Sequence, residues 1–585
     1  MPIKPLSRII AVLLTLIVSA TARISDSSAY QPFNAAELLL SETSLIVAAV
    51  DDWGLNGSLR HFGLPEYTLQ INYHDFRQSD PLYGTVPLAW INSRHQVIDI
   101  DRLNNRIYLA PVYADSGVNL SRFDYYRGDY GFLNFAAIVA GDIAENIHWR
   151  LFGENLGYDG AYGVLGPDYA KLKESIVQNY YLDIKKVGTT WQTELGCSYQ
   201  KYFPGMTNPA VLSRAGDETI LSWSHAGRLK QYRTSLYVTG ERVTDRGKLK
   251  TGLQMTNILY NTRHDSAGYA FTAEAFQYSG IFTGDLRAWS GDLHIRIEPV
   301  LESIYVRGGS TRTRSHFRQS IRYSRSGSGL DYSAALGSVN SYLTAELTAD
   351  FNKRSEWLDI YFRSAVDFFQ YPLIYFTDLA GKTGANPADD GFSAIRQTLG
   401  LRLNSRKSYL NSRLDYTKTE FLIPSKTAIQ ATHFTLQKES LNNVYLTEEF
   451  FFHLPWQIRL KGRIVITPRR FDDEQFLLQG WMKMTKDQLL FDDNLHLYVS
   501  GELHYLKGSN SLIWFEQLQT QAVGNVNYYT NERLTANGTA GARIGSFHIF
   551  YAVYNIEGRA FSALPGMPYR NRLKIFGVDW TFLNK

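Results

Sequence analysis

The sequence lacks the marks of several protein classes. Its 585 residues include one cysteine, Cys197, which excludes an intrachain disulfide and a cluster of thiolate metal ligands. Beyond the N-terminus there is no run of about eighteen apolar residues, so we expect no membrane-spanning helix. The net charge of +4 is small for this length and gives no support to a nucleic-acid partner.

Catalytic and metal-binding motifs are missing as well. The 13 histidines are scattered and form no H-E-x-x-H pair, and no G-x-S-x-G elbow is present. The segment at residues 324–329 has the composition of a flexible turn rather than of a nucleophile site. We therefore expect neither an enzyme nor a resident cofactor or metal ion.

The N-terminus has the pattern of a secretory signal peptide. Lys4 and Arg8 precede an apolar run at residues 9–18, and small residues suited to cleavage follow at positions 20–22. The run is too short to span a membrane as an anchor. We assign residues 1–22 to a signal peptide, which predicts that the mature chain lies outside the cytoplasm.

The C-terminal segment alternates strictly between two kinds of residue. One face is apolar and consists of Phe576, Val578, Trp580 and Phe582. The other face holds Gly577, Asp579 and Thr581. A period of two indicates a strand with one apolar side and one wet side. Such a strand suits the closing position of an outer-membrane β-barrel, with the four apolar residues facing lipid.

Similar alternation continues through about 470 residues, from residue 116 to the end. A soluble β-sandwich also alternates, but it stops after about seven to nine strands. A closed barrel has no free sheet edge, so strands can be added without a domain break. Because a transmembrane strand needs about 9–11 residues, we predict an all-β protein with a transmembrane antiparallel barrel of about 22 strands at residues 116–585. The 38 tyrosines suit the aromatic girdles of such a barrel in an outer membrane of the Gram-negative type.

Connector lengths indicate which end of the barrel carries the loops. The links near residues 141–146 and 188–189 are short, whereas those at 158–172, 203–218 and 379–391 are long and rich in Gly, Pro or Asp. Tight turns at one end and extended loops at the other are typical of outer-membrane barrels. We therefore expect the long links to be external loops.

Residues 23–115 differ from the rest and predict a small α+β domain before the barrel. Asn34 and Glu37 suggest a capped helix start near residues 34–40. Short strand-like pieces follow at residues 57–62, 67–73 and 96–100, separated by Gly and Pro.

This domain resembles the plug of TonB-dependent receptors. Residues 34–39 resemble the "ladLL" helix of those plugs, and residues 57–63, with Arg60 and Gly63, resemble the "v-x-i-R-G-x-G" strand that follows it. Residues 68–72, followed by Asp80 and Pro81, are similar to the family pattern "tLvliDG-x-p-l-nDPl". Residues 97–100 match "ieriEV", and residues 565–572 resemble the "mPGRtf" lead-in to the last strand. The resemblance implies a plug-filled barrel that imports a solute and couples to TonB.

The chain also departs from that family pattern. No TonB box is visible at residues 23–34, His61 follows Arg60 where the family has Gly, and residues 72–75 lack the glycine of the family turn. Three functions therefore stay open: receptor-like import of a small solute, passive porin-like passage, and surface binding or a structural role without transport. The expected partners are outer-membrane lipid, the barrel-assembly machinery, an unidentified solute and, through the resemblance, TonB.

Polar residues on the inner faces allow two further hypotheses. His496, Glu502 and His504 share one strand face and are either a ligand site or, as we favour, ordinary wet lining. Arginines assigned to the lumen would favour anionic solutes. They are Arg150, Arg233 and Arg363.

Overall fold

The computed structural model describes residues 45–584 with gaps. The gaps are 51–56, 62–63, 93–94, 102–105, 115–116, 159–174, 204–206, 216–217, 265–268, 289, 310, 328, 353–356, 377–389, 406, 427–434, 468–476, 493, 510–511, 516–519, 525–529, 559–560, 563–568 and 571. The expected signal peptide (1–22), the helix near residues 34–40, Gly63 and two of the expected long loops (159–172 and most of 379–391) lie outside the described residues.

The chain is built almost entirely of β-strands. The N-terminal strands are β1 (Leu45–Val50), β2 (Gly57–His61), β3 (Gln70–Tyr73), β4 (Phe76–Gln78), β5 (Gln96–Asp101) and β6 (Arg106–Pro111). They are followed by β7 (Asn119–Gly128), β8 (Leu133–Ala144), β9 (Ile147–Tyr158), β10 (Ser175–Val187), β11 (Trp191–Phe203), β12 (Thr207–Ala215), β13 (Glu218–Thr244), β14 (Gly247–His264), β15 (Tyr269–Ala288), β16 (Gly291–Val306), β17 (Thr311–Ser326), β18 (Asp331–Val339), β19 (Tyr342–Asn352), β20 (Leu358–Gln370), β21 (Gly391–Asn404), β22 (Tyr409–Lys426), β23 (Thr435–Leu454), β24 (Ile458–Thr467), β25 (Leu477–Leu490), β26 (Leu495–Ser509), β27 (Leu512–Phe515), β28 (Thr520–Gly524), β29 (Thr530–Ile544), β30 (Phe547–Tyr554), β31 (Phe561–Ser562), β32 (Tyr569–Arg570) and β33 (Leu573–Asn584).

From β7 onward the strands form a closed antiparallel barrel of 22 wall strands. The strands β12, β27, β28, β31 and β32 belong to the connections between wall strands. The last strand, β33, pairs with β30 on one side and with β7 on the other, from Ile575↔Gly128 to Asn584↔Asn119. The predicted strand number and closure are confirmed, because this pairing leaves the wall without a free edge.

Alternation along the strands separates an outer face from a lumen face. On β33, Phe576, Trp580 and Phe582 are exposed and Val578 is half-buried, as on an outer surface. On the opposite face, the Asp579 carboxylate accepts a hydrogen bond from the Tyr126 hydroxyl and lies 2.8 Å from Nδ1 of His548. Polar side chains on the lumen face are thus paired with one another rather than exposed to lipid.

The two ends of the barrel carry connections of different length. The first residue of β7 (Asn119), the last of β33 (Asn584) and short turns such as residues 145–146 and 245–246 lie at one end. The segment at residues 203–218, which we predicted to be a loop, instead contains β12, which pairs with the first part of β13. It extends the wall as a hairpin, because the paired segments contain β-branched and aromatic residues with strand propensity, namely Thr207, Val211, Thr219, Ile220 and Trp223, that loop composition alone obscured. The other end also includes short links, such as residues 340–341.

The plug-like unit is a four-stranded sheet with the order β4-β3-β6-β5. Strands β3 and β6 are parallel, and both outer strands are antiparallel to their neighbours. The predicted strand at residues 67–73 begins instead with a 3₁₀ turn, Glu66–Thr68, before β3. The described part of the unit contains 3₁₀ turns but no α-helix, so an α+β plug is not visible there. Among the described residues, none of the helices is long and apolar enough to cross a membrane.

Plug and wall share their apolar cores. Tyr67 and Leu82 of the plug pack with Tyr260 and Phe392 of the wall. A second cluster joins Ile71, Phe76 and Ile107 to wall residues that include Phe152 and Tyr237. The sheet therefore lies inside the barrel, with apolar side chains packed against the wall.

Several wall glycines lie directly beneath an aromatic ring of the neighbouring strand. The pairs are Gly196 with Tyr237, Gly400 with Tyr361, Gly462 with Phe450, Gly541 with Tyr498 and Gly577 with Phe550. A Cβ at Gly400 would lie 2.0 Å from the Tyr361 ring, and one at Gly577 would lie 2.2 Å from the Phe550 ring. Each ring thus occupies the space that the missing side chain leaves across the strand pair.

Candidate functional site: the interface between plug and wall

Asp80, a residue of the plug resemblance, lies at the centre of the contact between plug and wall. Its Oδ1 accepts hydrogen bonds from the backbone N–H of Leu82 (2.9 Å) and of Tyr83 (3.1 Å), which closes a local turn. The same oxygen accepts a 2.6 Å bond from the Tyr260 hydroxyl of β14, and Oδ2 accepts one of 3.2 Å from the Gln231 amide of β13. Asp80 is 1% exposed, and burial raises the pKa of its carboxyl to about 6.

Pro81 lies beside Asp80 and contacts a wall connection that folds inward. After β20, the backbone N–H of Leu373 donates to the Pro81 carbonyl (3.2 Å), and the N–H of Ile374 donates to the Leu82 carbonyl (3.0 Å). Tyr67 of the plug packs edge-on against the rings of Tyr371, Tyr375 and Phe392. This connection therefore contacts the plug at the end of the barrel opposite Asn119 and Asn584.

The β3–β4 hairpin forms its turn without glycine. His74 and Asp75 both have positive φ, 52° and 71°, which costs an L-residue about 1–2 kcal/mol. Wall side chains hold this tip. Nε2 of His74 lies 2.9 Å from the Tyr237 hydroxyl and 3.4 Å from Glu194, while Lys250 reaches the Asp75 carboxylate at 2.6 Å. Burial, with Lys250 and Arg150 nearby, lowers the pKa of His74 to about 3, so the imidazole is neutral at physiological pH.

Arg150 links three parts of the interface. Its guanidinium donates to the Asp183 carboxylate of β10, to the His95 carbonyl (2.7 Å) and to the Tyr73 hydroxyl (2.9 Å). Tyr237 also donates to Asp183, at 2.5 Å. Arg150 and Asp183 are both fully buried, so the pair is withdrawn from solvent.

A second group of charges lies where β16 and β17 face the plug. The Arg314 guanidinium donates to Glu302 at 2.6 Å and to the Tyr371 carbonyl at 2.6 Å. Arg77 of the plug lies near Glu298 and Glu302, yet burial lowers the pKa of its guanidinium. The inward connection after β20 and the plug are thus attached to the same wall charges.

The other two arginines that we predicted to face the lumen also contact polar partners. Arg233 donates to the Gln78 amide of the plug at 2.5 Å, and Arg363 lies 3.6 Å from Glu346. Because these arginines and Arg150 are buried and have partners, they are not open to an anionic solute. Of Arg60 only the backbone is described, in β2.

The histidines of the β26 face do not form a metal site. His504 lies 3.5 Å from Glu502, which in turn is bound by Lys483 at 2.7 Å. His496 is paired instead with Asp487, at 3.0 Å. Within the described part of the chain, no group of three or more His, Cys, Asp or Glu is placed to hold a metal ion.

Sequence reasoning missed the residues that make these contacts, namely Tyr73, His74, Asp183, Tyr237 and Tyr260. The only signal was their position on the wet face of a strand or in a short turn, which is the same for a solvated side chain. The plug, rather than the strand pattern, decides which of them are buried.

A cavity of about 430 Å³ with a mixed polar and apolar lining lies beside the wall strands β17 to β22. Asp331, Asp350 and Asp359 line one part of it, and Arg402 and Arg413 line another. Among the described residues, its lining comes from the wall alone. This sector of the lumen is therefore not filled by the described part of the plug.

Comparison with solved structures identifies the architecture. The siderophore receptor PirA from Acinetobacter baumannii aligns over 94% of this chain and 96% of its own, with a TM-score of 0.69 and 10% sequence identity. The FrpB iron transporter from Neisseria meningitidis (F5-1 variant) aligns over 95% and 98%, with a TM-score of 0.71 and 11% identity. A mutant of the ferric enterobactin receptor PfeA from Pseudomonas aeruginosa, in complex with enterobactin, aligns over 94% and 97%, at 0.67 and 11%.

This chain has the fold of outer-membrane siderophore receptors. At 10–11% identity the likeness to these receptors concerns the fold, and the resemblance to TonB-dependent receptors seen in the sequence is confirmed at that level. No protein-family model and no curated protein matches the sequence. The likeness extends over nearly the whole chain, which includes the closed barrel and the described plug sheet inside its lumen.

Proposed function

We propose that this chain imports a solute across the outer membrane, and that its plug closes the lumen until it rearranges to admit the solute. In this proposal residues 1–22 are the signal peptide, residues 23–115 form the plug and residues 116–585 form the barrel. The solute class that we propose is a siderophore carrying iron, because the structural neighbours are described as siderophore receptors and an iron transporter. The protein acts by binding and passage rather than by catalysis.

The proposal depends mainly on the kind of contact that attaches the plug to the wall. Side-chain hydrogen bonds join Asp80 to Tyr260, Gln78 to Arg233 and His95 to Arg150. Such contacts can exchange for water or for ligand groups at a small net free-energy cost, about 0.5–1.5 kcal/mol each. In this proposal release of the plug also separates the apolar surfaces that it shares with the wall, whereas the wall strands keep their own backbone pairing around the closed barrel.

The test is to tether the plug to the wall. In a Cys197→Ser background, we would introduce Gln78→Cys and Gln254→Cys, whose native amides lie 3.4 Å apart across the plug–wall interface. A short bifunctional thiol reagent that is cleavable by reduction then links β4 to β14. We expect uptake of ⁵⁵Fe-labelled siderophore by iron-starved cells to stop on linking and to return on reduction.

The matched control links two wall strands and leaves the plug free. Ser235→Cys and Thr256→Cys replace hydroxyls 3.0 Å apart on β13 and β14, and this link should leave uptake unchanged. Full uptake by the plug-tethered protein would contradict the proposal. Siderophore binding without any uptake, in the untethered protein, would instead favour a surface-binding role. Uptake that persists after collapse of the proton gradient would argue against coupling through TonB.

A passive channel is the second candidate, and the cavity beside β17 to β22 favours it. This cavity is lined by wall residues only, within the described chain, and its lining includes three aspartates and three arginines, namely Asp331, Asp350, Asp359, Arg325, Arg402 and Arg413. If it is a permanent passage, the purified protein conducts ions in planar bilayers without a ligand. Asp350→Asn and Asp359→Asn should then lower the preference for cations. A non-conducting protein would remove this candidate.

A further inference from the structure

A small cavity of about 20 Å³ lies between the plug and the wall. Its lining comes from both units, since Trp90 and Leu109 belong to the plug and Tyr181 and Arg233 belong to the wall. This volume has room for one water molecule or one monatomic ion. The Trp90–Arg233 cavity is therefore too small for an imported siderophore, and it is separate from any path that such a solute would take.

Two nitrogen donors belong to the residues that line this cavity. Trp90 is 3% exposed and Arg233 is 1% exposed. Among the residues that the structure describes, no atom accepts a hydrogen bond from the indole Nε1 of Trp90 or from Nε of Arg233. The guanidinium carbon of Arg233 lies 5.1 Å from the centre of the Trp90 ring, so the two side chains are neighbours across the interface. Neither group can accept a hydrogen bond, and a buried donor left unpaired is costly.

Within the described chain, the positive charge of Arg233 is not neutralised by an ion pair. Its guanidinium donates to the side-chain carbonyl of Gln78, which is neutral. Asp80 acts on this charge from a greater distance, and its oxygens accept instead from Gln231, from Tyr260 and from two backbone N–H groups. Because a buried charge without a counter-ion is strongly unfavourable, a negative charge next to Arg233 would stabilise the interface.

Other polar groups around the cavity also favour an anion over water. The Tyr181 hydroxyl accepts a 2.7 Å hydrogen bond from Gln200, which leaves its own proton to be donated. Oε1 of Gln96 already accepts from the backbone N–H of Asn92 at 3.0 Å. A bridging water molecule needs acceptors for its two protons, whereas a halide ion needs donors only. The lining thus offers a halide ion what it requires.

We propose that the Trp90–Arg233 cavity binds a single chloride ion that joins the plug to the wall. The ion accepts hydrogen bonds from Nε1 of Trp90 on the plug and from Nε of Arg233 on the wall, and it neutralises the guanidinium. Because each unit supplies one of these donors, the complete site exists only while the plug is docked. A ligand that binds only the docked state favours that state by a factor of one plus the ratio of its concentration to its Kd. Chloride therefore keeps the plug docked.

Hydrogen–deuterium exchange of the full-length protein in detergent tests this site in solution. Peptides that cover residues 86–92 are measured in sodium chloride and in sodium gluconate of equal ionic strength, because gluconate has the same charge but is too large for the cavity. At a chloride concentration ten times the Kd, we expect plug opening to be about tenfold less frequent than in gluconate. This measurement does not involve uptake, so its result is independent of the import proposal.

Two variants each remove one of the donors. Trp90→Phe keeps an aromatic ring beside Arg233 and removes the indole N–H, so it should lose most of the chloride effect. Arg233→Gln removes the charge and should abolish the effect. The matched control is Trp481→Phe, because Trp481 is also buried (6% exposed) and lies 5.9 Å from Nζ of Lys461, but does not line the cavity. This control should respond to chloride like the wild type.

Bromide gives a direct view of the site, because it replaces chloride and scatters X-rays anomalously. Crystals of the full-length protein grown in sodium bromide should show an anomalous peak between Nε1 of Trp90 and Nε of Arg233. Equal plug opening in chloride and gluconate would overturn the proposal, and so would a chloride effect that is undiminished in both Trp90→Phe and Arg233→Gln. A cavity without a bromide peak would also overturn it and would assign the two donors to a water molecule.

Discussion

The Tyr260 hydroxyl on the barrel wall donates a 2.6 Å hydrogen bond to Oδ1 of Asp80 in the plug. The two residues are 180 positions apart in the sequence, and both are almost completely buried. Because Asp80 also closes the turn that carries Pro81 and Leu82, the bond attaches this turn to β14. The carbonyls of this turn also accept backbone hydrogen bonds from the inward connection after β20. One hydroxyl thus supports contacts on two sides of the plug.

Removing that hydroxyl should loosen the plug without affecting the wall. We expect Tyr260→Phe to lower the free energy of plug opening by about 1–2 kcal/mol, because a buried acceptor loses one donor. Hydrogen–deuterium exchange of peptides covering residues 70–84 measures this local opening. Tyr305→Phe, on the outer face, is the control and should leave exchange unchanged. Equal protection in both variants would show that the bond does not hold the plug.

The pH dependence of plug opening should carry the signature of Asp80. Burial raises the pKa of this carboxyl to about 6 in the docked plug, above the value of about 3.9 for an exposed aspartate. The docked state binds the proton more tightly, so its extra stability is fully present below pH 4 and is lost as pH rises through 6. The change is on the order of 3 kcal/mol. Exchange rates corrected for intrinsic pH effects provide the measurement.

Asp80→Asn is the matching variant for that titration. We expect it to fold, because the buried Oε1 of Gln231 has no hydrogen-bond partner and can accept from the new amide after a flip of the Gln231 side chain. The variant should lose the change between pH 4 and 6 and keep the opposite trend of His74. The pKa of His74, lowered to about 3, removes stability as pH falls below about 6.5. A pH profile that is unchanged in Asp80→Asn would contradict the assignment.

The strands of the wall could be predicted from the sequence because the residue pattern that produces them is local. Alternation with a period of two, repeated over segments of spanning length, requires strands that are wet on one side, and a long series of them requires closure. The pairing of β33 with β7 follows from closure alone. The exception was residues 203–218, where turn-forming residues at the start obscured the strand β12.

The interface between plug and wall could not be predicted in the same way. Arg150 follows the same alternation whether it faces water or a buried carboxylate, so its pairing with Asp183 and the His95 carbonyl depends on where the plug lies. The conformation of the β3–β4 hairpin tip could not be predicted for another reason. Without glycine, residues 72–75 departed from the family turn, yet His74 and Asp75 adopt the left-handed conformation because wall side chains hold them.

Glycines beneath aromatic rings should be intolerant of a methyl group. We expect Gly577→Ala to lower the free energy of unfolding by about 1–3 kcal/mol, because its Cβ would lie 2.2 Å from the Phe550 ring and 2.8 Å from the Tyr126 ring. Gly501→Ala is the control, since a Cβ there meets nothing within 4 Å and the change should be neutral or slightly stabilising. Urea unfolding in lipid vesicles, followed by tryptophan fluorescence, gives both values. A smaller loss for Gly577→Ala than for Gly501→Ala would refute the steric argument.

The buried Arg150–Asp183 pair should respond very differently to single and double substitution. Arg150→Met leaves a buried carboxylate whose remaining side-chain donor, among the residues that the structure describes, is Tyr237, and we expect a loss of about 3–5 kcal/mol in plug and wall stability. The double variant Arg150→Met/Asp183→Leu removes both charges and should recover most of that loss. Lys248→Gln breaks the pair with Glu241, in which the lysine is about half exposed, and should cost less than about 1 kcal/mol. Hydrogen–deuterium exchange at residues 70–76 measures the stability of the plug, and urea unfolding measures the stability of the wall. If the single variant matches the double one, the free energy comes from packing rather than from the paired charges.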